Sequence, residues 1–136
     1  MAKSPEAYVD TSALIAFADR SDTYHPLFRR LFSAPPGLLT SSLVIAEGHA
    51  WFLRRYDATR GLQFMAMIEQ MPFLSIAAVG QPEVDSATPL LRKYADQSLT
   101  LADAVGLALM RQGGVRSCWS TDRHLGLTGV RLVVDG

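Results

Sequence analysis

"YVDTSALIAF", residues Tyr8 to Phe17, decides how this chain is read. Tyr8 and Val9 have the character of the end of a buried strand, and Ala13 to Phe17 that of a helix. Asp10 stands at the hinge between them. An aspartate there has two physical explanations. Either its carboxylate caps the orphan N–H groups of the helix, or it is one ligand of a metal site at the end of a strand. The surrounding sequence has to choose between them.

Outward from this unit the alternation continues. "SAPPGLLTSS" is a Pro-Pro-Gly punctuation followed by a short apolar strand, Leu38 to Thr40, and Ser41 or Ser42 can cap the helix that follows in "LVIAEGHAWFLRRY". Asp57 can cap another helix, "ATRGLQFMAMIEQM", which stops near Pro72. "FLSIAAV" reads as a buried strand and "PEVDSATPLLRKYAD" as a helix in which Pro89 could introduce a kink. "LTLADAVGLALMRQGG" is a helix ended by Gly113 and Gly114, "SCWST" is a strand with Asp122 after it, and "VRLVV" is a last strand. Short continuous apolar strands alternating with helices predict an α/β fold, an α/β/α sandwich around a central parallel sheet of four to five strands. In such sheets ligands bind outside the carboxyl ends of the strands, so the residues just after each strand matter most.

Composition narrows the function classes. A chain of 136 residues without repeats or low-complexity tracts is expected to form a single domain, residues 1–136. With 49% hydrophobic and 19% charged residues it has the balance of a soluble globular protein. No apolar run reaches the roughly 18 residues needed to cross a bilayer, so no membrane association is expected. "MAKSPEAYVD" does not resemble a signal peptide, and the single cysteine, Cys118, excludes an internal disulfide; both fit a cytoplasmic protein. Cys118 is expected to be a buried strand residue, and Trp51 and Trp119 to be core. Zero net charge gives no overall attraction for nucleic acid, but only Lys3 and Lys93 are lysines, and the arginines that carry the remaining positive charge match phosphate oxygens well. Neither a Walker loop nor a Rossmann glycine fingerprint is present, and three scattered histidines, His25, His49 and His124, do not make a zinc site. Asp19, Asp22 and His25 read as turn and cap residues; His49 and His124 read as surface or supporting residues.

Four acids stand out. Asp10 and Asp122 each follow a strand, at the carboxyl edge if those strands run parallel. Glu47 shares a helix face with Leu43, Ala50 and Trp51, and Asp103 shares one with Leu99, Gly106, Leu107 and Met110, by the three- and four-residue spacing of a helix. Each has an ordinary explanation taken singly. Asp10 and Asp122 suit N-caps, "TLAD" from Thr100 to Asp103 resembles a capping box, and Glu47 can pair with Arg54 or Arg55. Together they argue for convergence, because two lie at strand ends and two on apolar helix faces of one sheet architecture. Two carboxylates about 4 Å apart repel by roughly 4 kcal/mol at an effective dielectric near 20, so a group of three or four needs a cation. An oxygen-loving divalent ion, Mg²⁺ or Mn²⁺, meets that need, and carboxylate-bound ions of this kind typically serve chemistry at phosphate.

"YVDTSALIAF", "TSSLVIAEGHAWF", "SLTLADAVGLALM" and "STDRHLGLTGVRLV" resemble, in order and spacing, the four acidic motifs of the PIN-domain nucleases, most nearly the VapC-type toxin ribonucleases of toxin–antitoxin pairs. The resemblance covers essentially the whole chain, and its most specific parts are the Asp-Thr-Ser opening and the Thr-Asp-Arg-His segment. It implies a parallel sheet between helices and acids that hold Mg²⁺ or Mn²⁺ for hydrolysis of RNA, with Asp10, Glu47, Asp103 and Asp122 as metal-binding and catalytic residues. Thr11 or Ser12 would then lie beside the ion, and Thr121 in a supporting or substrate-contacting place. It further implies an RNA substrate, which His49 and His124 could contact, a cognate antitoxin protein and a homodimer. Leu125 departs from the pattern, since an aromatic residue is common after the histidine.

Two other classes remain open from sequence. A phosphate-accepting receiver domain has acids at the same sheet edge, but it needs a lysine after a late strand, which neither Lys3 nor Lys93 supplies. A non-catalytic binding module could keep the fold without the chemistry; retention of all four acids counts against it.

Overall fold

The computed structural model describes residues 4–136. Five parallel strands form one sheet, in the order β3-β2-β1-β4-β5: β1 (Ala7–Val9), β2 (Leu38–Ser41), β3 (Leu74–Ala77), β4 (Ser117–Trp119) and β5 (Arg131–Leu132). Among the described residues six α-helices connect them: α1 (Thr11–Ala18), α2 (His25–Leu31), α3 (Ser42–Arg55), α4 (Ala58–Glu69), α5 (Gln81–Lys93) and α6 (Leu101–Gly113). The result is the α/β/α sandwich expected from the alternation of apolar strands and helices.

The connections explain the order. From β1 the chain winds through β2 to the β3 edge, then crosses back to β4 on the other side of β1 and ends at β5. Because parallel crossovers are right-handed, the helices of the first half and those after the reversal take opposite faces of the sheet. The packing follows this division: α1 with α2 and α3, α3 with α4, and α5 with α6. The reversal leaves β1 and β4 side by side, with Tyr8 opposite Cys118 and Val9 opposite Trp119. Their carboxyl ends are the point where a crevice opens in such a sheet.

Local chemistry sets most element ends. Ser41 accepts a hydrogen bond from the Val44 amide at the start of α3, and Asp57 accepts one from the Arg60 amide at the start of α4. Gly114 ends α6 at a positive φ of 65°, a conformation that suits glycine at a helix stop. The core that fixes the layers includes Tyr8, Leu14, Phe28, Leu38, Phe52, Phe64, Leu107 and Met110, all essentially inaccessible to solvent. Each such large apolar side chain contributes about 1.5–3 kcal/mol by leaving water. Cys118 and Trp119 are buried in β4, as expected for a strand covered on both faces.

Several boundaries differ from the sequence reading. "VRLVV" is strand only at Arg131–Leu132; Val133–Asp135 turn into a 3-10 helix. "SCWST" leaves the ladder after Trp119, so Ser120 and Thr121 belong to the loop that leads to Asp122. "FLSIAAV" keeps the ladder only from Leu74 to Ala77, and α5 stops at Lys93, before a 3-10 turn at Ala95–Gln97. Of these strands β3 and β5 are the sheet edges, each with a single partner to hold it extended, which is why periodicity overstated their length. Pro89 does not interrupt α5, which continues from Gln81 to Lys93.

Candidate metal centre

Asp10 occupies the N-cap position of α1, with extended backbone, yet its side chain caps nothing. Its backbone carbonyl accepts the amides of Ala13 and Leu14, so the helix starts normally. The carboxylate turns instead toward β4: Oδ2 accepts the Ser12 hydroxyl at 3.0 Å and the Ser120 hydroxyl at 2.9 Å. Each serine oxygen also accepts a backbone N–H, Ser12 from Thr121 at 3.0 Å and Ser120 from Asp122 at 2.9 Å. With both hydroxyl protons spent on Asp10, the 3.2 Å approach of the two serine oxygens is a contact without a shared proton. The Asp10 amide donates to the Trp119 carbonyl at 3.0 Å and continues the β1–β4 ladder past the assigned strand. Two loops remote in sequence are thereby tied to one carboxylate.

The other three acids are positioned by their own elements. Asp103 is part of the capping box anticipated in "TLAD": its amide donates to Thr100 Oγ1 at 3.1 Å, and its Oδ2 accepts the Thr100 amide at 3.2 Å. Asp122 caps the 3-10 turn Arg123–Gly126, with Oδ1 accepting the His124 amide at 2.9 Å. Glu47 is exposed, not packed on an apolar face, and pairs with neither Arg54 nor Arg55; its Oε1 accepts the Thr11 hydroxyl at 2.9 Å. For Asp103 and Asp122 the ordinary explanation and the functional one therefore hold together, because a cap uses one oxygen and leaves the carboxylate facing the cleft.

All four acids line one open cleft of about 320 Å³ at the carboxyl ends of β1 and β4, with Thr11, Ser12, Ile15, Trp51, Arg54 and Thr100. Asp103, Asp122 and His124 are the tightest group: each offers one ligand atom, and these atoms lie within 4.8 Å of one another. His124 Nδ1 is 3.2 Å from Asp122 Oδ1 and 3.9 Å from Asp103 Oδ2. The sequence gives His124 a surface, supporting or RNA-contacting part and does not single out Ser120; the Asp-x-His spacing on a tight turn was the available signal for the first, and nothing local marked the second. Trp51, expected in the core, is part-buried: it packs against the core and also lines the cleft. Thr121 meets the site through its amide, which donates to Ser12.

Electrostatics points to a cation. Burial pushes the Asp10 carboxyl up to about 6, with the charge of Asp103 adding to the rise and the Ser120 and Ser12 hydroxyls opposing it. Burial also raises Asp103, with Asp122 adding to it, while the Thr100 hydrogen bonds and His124 pull the other way. Both carboxylates are held in an environment that disfavours their negative charge. An ion of two positive charges removes that penalty, and the donor set, carboxylate oxygens with one imidazole in reach, is able to hold one.

A sheet of this order with four acids in one cleft at its reversal point is the arrangement of a PIN domain. Residues 7–129 match the PIN domain family model, and the chain belongs to that family. Among curated proteins it is similar to the 23S rRNA-specific endonuclease VapC20 of Mycobacterium tuberculosis, 27% identical over 124 residues that cover 90% of this chain and 93% of that protein. It is also similar to the ribonuclease VapC26 of Mycobacterium tuberculosis, 27% identical over 117 residues covering 85% of this chain and 86% of that one. The crystal structure of Mycobacterium tuberculosis VapC20, described as a Sarcin-Ricin loop cleaving toxin, shares the fold with a TM-score of 0.82 at 23% identity, over 91% of this chain and 95% of that chain. A toxin-antitoxin complex from Klebsiella pneumoniae contains a chain of the same fold, with a TM-score of 0.64 at 19% identity, over 93% of this chain and 95% of that chain.

Proposed function

We propose that this protein is a metal-dependent endoribonuclease, the toxin of a toxin–antitoxin pair. The observation that carries the reading is the convergence of Asp10, Glu47, Asp103 and Asp122 on one open cleft at the carboxyl edge of the sheet. Membership of the PIN-domain family supports it, as do similar proteins named as RNA-cleaving toxins. We read residues 1–136 as one nuclease domain.

The four acids would hold Mg²⁺ or Mn²⁺, whose choice over zinc follows from a donor set dominated by carboxylate oxygen. Such an ion, when bound, activates water and neutralises charge at a phosphodiester. The chain's own residues do the positioning. Ser12 and Ser120 fix the orientation of Asp10, and Thr11 does the same for Glu47. The Thr100 capping box sets Asp103 at the start of α6, and the 3-10 turn after β4 sets Asp122. Thr11, Ser12 and Thr121 would then serve as supporting or substrate-contacting groups.

A toxic ribonuclease has to be restrained, so a cognate antitoxin belongs to the proposal, together with a homodimer and action in the cytoplasm. Among the described residues no helix is long and apolar enough to cross a membrane. An acidic cleft attracts a basic inhibitor side chain, and arginine can meet a carboxylate at two points. The direct test is incubation of the purified protein with structured RNA and Mn²⁺, with and without chelator. Cleavage that needs the ion, and that is abolished in Asp10→Asn and Asp103→Asn proteins with unchanged circular dichroism, is the expected result. An Asp10→Asn protein of full activity would remove the metal-centre reading. Absence of any cleavage would leave a non-catalytic module of the same fold.

A further inference from the structure

The cleft does not end at the carboxylates. On α3, Glu47, Trp51 and Arg54 are spaced four and three residues apart and line the same cleft, as do Thr11 and Ile15 on α1. The cleft therefore follows α1 and α3 away from the metal centre. Arg54 lies two helical turns from Glu47, ~10 Å along the axis. Its side chain is exposed, and among the described residues no carboxylate lies within ion-pair distance of it. The nearest acid on its helix face, Glu47, is instead engaged with the Thr11 hydroxyl. The Trp51 indole is part-buried, held edge-on by the rings of Phe52 at 4.9 Å and Tyr56 at 6.2 Å, with Ile15 as its apolar neighbour across the cleft lining. The Trp51 ring thus packs against the core while lining the acid-lined cleft, and the Arg54 guanidinium beside it has no ion-pair partner among the described residues.

We propose that Trp51 and Arg54 form a nucleotide-binding subsite next to the metal centre, in which the indole stacks on an unpaired base and the guanidinium binds the adjoining phosphate. This rests on the nuclease reading above and deepens it. Four carboxylates repel a polyanion, so a strand that reaches the ion needs positive charge close by, and Arg54 is the cation that the cleft supplies. A base can lie on an aromatic ring only where its own face is open, which selects single strands and loops over continuous duplex. An acidic segment of a protein partner would also satisfy Arg54, but it would have no use for a stacking surface beside the catalytic acids.

The test uses the chain's two tryptophans. Trp119 is 5% exposed in β4, so an RNA-dependent change in fluorescence reports Trp51. A short single-stranded oligoribonucleotide, and the same strand annealed to its complement, are titrated into the protein in millimolar Mg²⁺, with cleavage followed on a gel from the same samples. Quenching by the single strand and not by the duplex is expected, and Trp51→Phe should abolish the fluorescence change. Trp51→Leu should weaken binding at least about fivefold, with a melting curve to establish that it folds. Arg54→Ala should weaken binding and lower the salt slope by about one, Arg54→Lys should restore most of the slope, and Arg55→Ala, exposed but outside the cleft, should bind as wild type. Equal quenching by duplex, an unchanged affinity and salt slope in Arg54→Ala, or an equal loss in Arg55→Ala overturns the subsite. Cleavage with any of those results leaves the nuclease reading standing without the subsite. Quenching that depends on Arg54, with no cleavage, leaves the subsite standing and removes the nuclease reading.

Discussion

Asp10 shows how one residue serves two ends at the cost of some stability. It is 6% exposed, its carboxyl is pushed up to about 6 by burial, and its hydrogen bonds to Ser12 and Ser120 only partly offset that rise. A carboxyl whose folded pKa stands above its unfolded value binds its proton more tightly in the fold. Its contribution to stability is therefore present below about pH 4 and is lost as pH rises toward and through about 6. The metal-free protein should lose on the order of 2–3 kcal/mol across that window through this one group. Melting curves in chelator from pH 4.5 to 7 should show the decline in the wild type and a shallower one in Asp10→Asn, whose amide oxygen can still accept both serine hydroxyls. Parallel curves for the two proteins would contradict the assignment. Asp19, by contrast, is a structural acid: against the upward push of burial, the Ser21 hydroxyl and amide and the Tyr56 hydroxyl hold it below the usual carboxylate range. The turn reading of that loop is what its hydrogen bonds support.

At the scale of elements, the site depends on two helices whose placement is tightly constrained. Thr100 starts α6 and holds Asp103, and Thr100→Ala should cost about 1 kcal/mol, read as a lower denaturant midpoint. Gly106, one turn further along α6, faces the ring of Tyr8 in β1; a methyl there would sit 2.9 Å from Tyr8 Cε1. Gly48, next to Glu47 on α3, packs against Phe64 of α4, and a methyl there would sit 2.3 Å from Phe64 Cζ. Alanine is the better helix former by about 1 kcal/mol, yet overpacking a filled core costs about 1–3 kcal/mol. Gly48→Ala and Gly106→Ala should each be destabilised in urea, despite their improved propensity. Greater stability in either variant would show that the helix can shift outward without penalty. Gly106 lets α6, with Asp103 in its first turn, approach β1 closely, and Gly48 lets α3, which carries Glu47, pack closely on α4.

At the scale of the whole molecule, zero net charge conceals an uneven distribution: four acids line one cleft. Any ion that binds only the folded arrangement stabilises it, by an amount that grows with its concentration. Millimolar Mn²⁺ should raise the melting temperature of the wild type, and raise it less in Asp103→Asn. A melting curve unmoved by saturating Mn²⁺ would argue against a preformed centre.

The sequence by itself determined the alternation of strand and helix, most caps, and the placement of Asp10 and Asp122 after strands and of Glu47 and Asp103 on helices. These are local matters: side-chain periodicity, turn residues and capping geometry act within a few residues of the chain. Only the tertiary structure decided that Asp10 turns away from its helix toward a serine 110 residues along, and that Glu47 meets Thr11 36 residues away instead of an arginine on its own helix. It also decided that His124 comes within 3.9 Å of Asp103, 21 residues before it, and that Trp51 lines the cleft while packing against the core. The strand order governs these outcomes. It sets β4 beside β1, and that neighbour is fixed by the crossover from β3 and by the packing of whole layers, neither of which a local stretch of sequence contains.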